Sequence, residues 1–95
     1  MANTVTGSAI TFDTGQYTAS ATAGQVVPSN RNRTSINIVN MGTNPFYVGN
    51  SGVTSGTGYY VPGVVGSNVT IPSPDAIYVI TASSTSVISF IEVTT

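Results

Sequence analysis

Five side chains carry charge at neutral pH: Asp13, Arg31, Arg33, Asp75 and Glu92. The chain has no His, Cys or Lys, so the usual general bases, thiol nucleophiles and Schiff-base amines are missing. Carboxylate chemistry remains, but the three acids are scattered and only the fold could bring two of them together. So few charges leave little with which to tune the pKa values of such a pair. The sequence therefore predicts no catalytic residues and no enzymatic activity. Zinc and copper lack their ordinary ligands, and no Asp-x-Asp run offers the clustered oxygens that calcium needs. Gly49-Asn50-Ser51-Gly52 lacks the Lys of a phosphate loop and falls between two strand patterns. No metal and no cofactor are expected.

Two features carry binding chemistry instead. Arg31 and Arg33 lie two apart at the entry to a strand, so both side chains can point the same way. They are either solvated at the strand end or paired with an acid of a neighbouring subunit, which fixes register more than it adds stability. Tyr59 and Tyr60 follow the Gly-rich loop Asn50–Gly58. Tyrosines on such loops stack against sugar rings, and equally serve as rim or core residues. Asn32-Arg33-Thr34 and Asn68-Val69-Thr70 match the glycosylation sequon, which carries little information in a chain rich in Asn and Thr. A net charge of −1 gives no steering towards nucleic acid or an anionic membrane. No apolar run approaches the ~20 residues of a membrane span, and no charged segment precedes one as in a Sec-type leader. A soluble protein is expected, with no nucleic acid or membrane partner.

The elements that must position these residues are strands. Val, Ile and Thr make up 36 of the 95 residues, Leu and Lys are absent, and Glu occurs once. β-Branched side chains suit a pleated sheet and lose rotamer freedom in a helix. Essentially no helix is expected. Charged residues make up 5%, against about 25% in a typical domain; hydroxyls of 12 Ser and 15 Thr supply the polar surface. A domain of this size buries only roughly 60–65% of its unfolded surface. Without disulfides or metal, self-association is the remaining stabilising device. Low charge suits a chain held in a permanent assembly; the alternative is a hydroxyl-rich secreted β-domain.

Punctuation along the chain separates an N-terminal segment, residues 1–30, from a sandwich core, residues 31–95, within a single domain. In the first, Ile10 and Phe12 alternate, Asp13-Thr14-Gly15-Gln16 reads as a turn, and Gln16–Ala21 reads as a weak returning strand. The alternative is an extended arm that pairs with a neighbour. Val26-Val27 is stopped by Pro28. Thr34–Asn40 alternates, with Ile36 and Ile38 inward. Asn40–Pro45 is a turn, Phe46–Gly49 a strand, Tyr59–Val61 a strand ended by Pro62-Gly63, and Ser67–Ile71 another. Pro72–Asp75 makes a corner, and Ala76–Ala82 and Ser86–Thr94 read as a hairpin across Ser83-Ser84-Thr85. Seven to eight short strands at this spacing predict an all-β antiparallel sandwich of jelly-roll type.

That last hairpin is apolar on both faces. Tyr78 and Ile80 oppose Ile77 and Val79; Ile88 and Phe90 oppose Val87, Ile91 and Val93. Only one face can look at the core of so small a fold, so the other meets residues 1–24 or another subunit. An oligomer interface is accordingly expected at Tyr78, Ile80, Ile88 and Phe90, with Arg31 and Arg33.

The run Arg33–Gly42, followed by Phe46-Tyr47-Val48-Gly49, Val53-Thr54, Gly58-Tyr59 and Pro62-Gly63 and closed by Ile77–Ile80 and Phe90-Ile91-Glu92, resembles a recurrent β-sandwich of tailed-bacteriophage virions. The likeness covers roughly Arg31–Thr95. It implies a small accessory head protein of the decoration or cement kind, commonly a trimer, or a module on a tail component. On that reading the chain is made in the host cytoplasm and binds the major capsid protein, or another virion protein, on the outer surface of the head. Its partners are copies of itself and the shell, which it stabilises. The alternatives are a tail or fibre-tip module that binds glycans through Tyr59 and Tyr60, and a minor coat or tail subunit.

Overall fold

The computed structural model describes residues 10–95. Eight strands form in chain order: β1 (Thr11–Ala19), β2 (Gly24–Val27), β3 (Arg33–Asn40), β4 (Phe46–Gly49), β5 (Tyr59–Val61), β6 (Asn68–Ile71), β7 (Ile77–Ile80) and β8 (Ser86–Thr94). The described residues include no helix. Two antiparallel sheets result, one ordered β1-β8-β3-β6 and the other β2-β7-β4-β5. The expected all-β jelly-roll-like sandwich is what the chain forms. Among the described strands, only β4 and β5 are neighbours both in sequence and in a sheet.

The strands alternate as their sequences require. On β3, Ile36, Ile38 and Asn40 face inward; on β4, Phe46 and Val48 do so. Ile77 and Val79 from β7 and Ile88 from β8 complete the centre of the core. Pro28, Pro62 and Pro72 follow β2, β5 and β6 directly, because proline has no N–H to continue a ladder. Between β5 and β6 the chain reverses at Val64–Ser67, where Ser67 N–H donates to Val64 O at 2.9 Å. Gly66, at φ +98°, supplies the left-handed conformation that this turn needs.

Two local readings of the sequence are corrected. Asp13-Thr14-Gly15-Gln16 makes no turn: β1 runs straight through it and pairs with β8 over nine rungs, from Thr11 opposite Thr94 to Ala19 opposite Ser86. Gly15 sits beneath the Phe90 ring, where a Cβ would come within 2.7 Å of it. Long-range pairing outweighs a local turn preference. The part of the N-terminal segment lying in residues 1–9 is outside the described residues.

The second correction concerns the C-terminal pair. β7 and β8 form no hairpin; β7 lies between β2 and β4, while β8 lies between β1 and β3 in the other sheet. At the crossing, Thr81 N–H donates to Ser20 O at 2.8 Å, and its buried hydroxyl caps Ser84 O. Both strands are inner strands of their sheets, so the second apolar face of each lies on the outside of the sandwich, on opposite layers.

Candidate functional site

Arg33 opens β3, where the register with β8 slips between Arg33 and Ser35. Such a bulge re-aims a side chain, and here it lets Arg33 and Ile36 both face inward although they are three apart. Arg33 is 3% exposed as a residue, and none of that exposure is on its side chain. Its Nε donates to Glu92 Oε2 at 2.7 Å, its Nη1 to Asp75 O at 2.7 Å and Ser73 O at 3.3 Å, and its Nη2 to Pro28 O. One cation thus ties β8 to the segments after β2 and β6. Expected at a subunit boundary, Arg33 instead finds its carboxylate within its own chain. Arg31 is exposed in the preceding turn, so the two arginines point apart.

A second buried polar centre is neutral. Asn40, fully buried at the end of β3, accepts from Gly42 N–H at 2.9 Å and from Ser86 Oγ at 2.8 Å. Its amide donates to Asn44 O at 2.9 Å and Pro62 O at 3.0 Å. Every amide valence is used, and the turn after β3 is pinned to β5 and β8. The sequence marks Asn40 as a polar break in the apolar alternation, whereas Arg33 is in phase with Ser35 and Asn37 on the polar face until the bulge re-aims it. Nothing local shows that partners of both lie tens of residues away.

Asn40 has no open valence for a ligand, and the Arg33 guanidinium, with four of its five N–H donors used, is enclosed by its own chain. Among the described residues no three acidic, His or Cys side chains converge, and no buried side-chain N or O lacks a partner. Asp13 stands directly opposite Glu92 across β1 and β8, while Asp75 is an exposed residue before β7.

The predicted contact residues are dispersed. Ile88 is fully buried in the core and has no surface to offer a neighbour. Phe90 is half-buried across Gly15. Tyr78 and Ile80 lie half-buried on the outer face of β7, on the opposite layer from β8. Part of that outer face is covered by the loop joining β4 to β5. Gly49 and Gly58 leave a notch that Val53 fills; a Cβ on either glycine would come within 2.7 Å of the Val53 Cγ2. Val53 is 5% exposed. A Gly at each end of a Gly/Ser/Thr loop was the available signal for this cover.

Tyr59 and Tyr60 are both exposed but, as strand neighbours, face opposite ways. Tyr60 leans on Tyr47 of β4, ring centroids 5.6 Å apart and tilted by 50°. Tyr59 turns towards the open side of the sandwich, where Val48, Val69, Ile71 and Ile77 line an apolar groove of about 510 Å³. The pair therefore makes no common stacking platform.

Large apolar groups sit elsewhere on the surface. Phe12 on β1 is 67% exposed and stands opposite Val93 of β8; Ile91 and Val87 of β8 share that outer face and are also exposed. Sequence patterning places Val87, Ile91 and Val93 together, and the structure adds Phe12 beside them.

No family model matches the sequence, and no curated protein matches it. Among solved structures the chain is similar to a protein described under "Bacillus endospore appendages form a novel family of disulfide-linked pili". The TM-score is 0.57 and the identity 20%, over 100% of this chain and 96% of that one. At that identity the likeness is one of fold. No helix among the described residues is long and apolar enough to cross a membrane.

Proposed function

We propose that this chain is a non-enzymatic structural subunit that works by assembling with copies of itself. The observation that carries the reading is the outer face of β1 and β8, where Phe12, Val87 and Ile91 stand exposed on a chain with five charged residues. Such a face has little to keep it apart from another like it. The most charged contact, Arg33 with Glu92, is turned inward and holds the fold together.

Within that role, the sequence resemblance supports a decoration or cement protein on the outer surface of a phage head. Each copy bridges capsid subunits, and many weak bridges together resist rupture. The fold likeness to an appendage protein supports a second reading, a subunit of an extended fibre. The appendages of that neighbour are disulfide-linked pili; this chain has no Cys, so its own contacts are non-covalent.

Electron microscopy of the purified protein, alone and mixed with undecorated capsids from its source, tests the proposal. Discrete oligomers that coat capsids support the decoration role, and filaments from the protein alone support the fibre role. A monodisperse monomer that binds no particle at micromolar concentration overturns the reading.

A further inference from the structure

We propose that the outer edge of β1 pairs antiparallel, centred on Gly15, with β1 of a second copy of this chain. The inference rests on the self-assembly reading and names its interface.

The two sheets have four edge strands, β1, β6, β2 and β5. Three are blunted in the ways that prevent edge pairing. β2 and β6 are four residues long and β5 three; each is followed at once by proline, and the register of β2 is bulged. β1 is unlike them. It runs nine residues with no proline, no irregularity in its pairing with β8 and one charged side chain, Asp13. Among the described residues nothing pairs with its outer edge.

Strand addition draws its affinity from main-chain hydrogen bonds, so the best partner is another long, straight, nearly uncharged strand. β1 itself meets that description. Centring the pair on Gly15 sets Thr14 opposite Gln16, Asp13 opposite Tyr17 and Phe12 opposite Thr18. Core-facing positions then meet core-facing positions, so the joined sheet keeps its two faces. The two Asp13 carboxylates fall four positions apart, about 13 Å, beyond the physiological Debye length of about 8 Å. A register opposing Asp13 to itself sets like charges face to face. The two-fold pair makes one eight-stranded sheet, and each exposed Phe12 gains Thr18 of the other copy as its neighbour.

The test uses the full chain by native mass spectrometry and analytical ultracentrifugation. Thr14 and Gln16 are exposed, so the Thr14→Lys/Gln16→Lys and Thr14→Glu/Gln16→Glu variants should keep the far-UV spectrum and melting temperature of the parent. Each variant alone should lose the pair, with the dissociation constant raised roughly a hundredfold or more, because like charges now stand opposite across the interface. Mixing the two should restore a mixed pair, since each Lys then meets a Glu. If the Lys variant associates as the parent does, or the mixture stays unpaired, this interface is wrong while self-assembly by another surface stands. A parent chain that is monomeric at every concentration overturns both.

Discussion

Arg33 and Glu92, 59 residues apart in the chain, meet at 2.7 Å inside the molecule. Arg33 has no exposed side-chain surface and Glu92 little, and Nη1 and Nη2 donate to three backbone carbonyls. Removing one partner of such a pair leaves an uncompensated charge, at a cost of about 3–5 kcal/mol. Arg33→Met should therefore lower unfolding stability by that amount in urea titration. Glu92→Gln, which keeps an acceptor, should cost less. An Arg33→Met variant as stable as the parent contradicts the clamp.

Asn40 should be equally intolerant, for a neutral reason. Asn40→Ala strands the Gly42 N–H, the Ser86 hydroxyl and two carbonyls, and should cost at least about 2 kcal/mol. Ser86→Ala should be milder, because Asn40 Oδ1 retains the Gly42 N–H. Thermal melts of the two variants give the order.

The notch over β4 makes a coupled pair. Gly49→Ala meets the Val53 side chain and nothing else within 3.4 Å, so the strain of about 1–3 kcal/mol expected for overpacking should fall in a Val53→Ala background. That background removes Cγ2 but keeps the Cβ at 2.9 Å, so the strain should vanish only with Val53→Gly. Val53→Ala alone should cost about 1.5 kcal/mol, the burial of two methyl groups. A double-mutant cycle with no coupling energy counts against Val53 filling that notch.

Assembly should persist in high salt. With five charged residues in the chain and the strongest pair buried, little interfacial energy is open to screening, even at 1 M salt, where the Debye length is about 3 Å. Sedimentation profiles with and without 1 M sodium chloride should coincide; dissociation in salt points to an electrostatic interface instead.

Much of this protein is legible in its residues one at a time. The β-branched excess and the missing Leu and Lys determine an all-β chain. The Pro and Gly punctuation marks β4 and β5 to the residue and β3 to within one, since these preferences act over two to four residues. The scarcity of ionisable side chains points away from acid–base and nucleophilic chemistry in the same local way.

Partnership was decided only in three dimensions. Ser83-Ser84-Thr85 has the length of a hairpin loop, yet it carries the chain from one sheet to the other, because β7 and β8 each need a neighbour on both sides and find it in distant strands. Asp13–Gln16 has the composition of a turn, yet nine rungs of pairing with β8 hold it straight. Arg33 looks like a surface cation until a bulge and Glu92 draw it inward. In each case the local preference spans no more than about 1 kcal/mol, and the pairing that overrides it involves residues distant in sequence, which no local pattern reports.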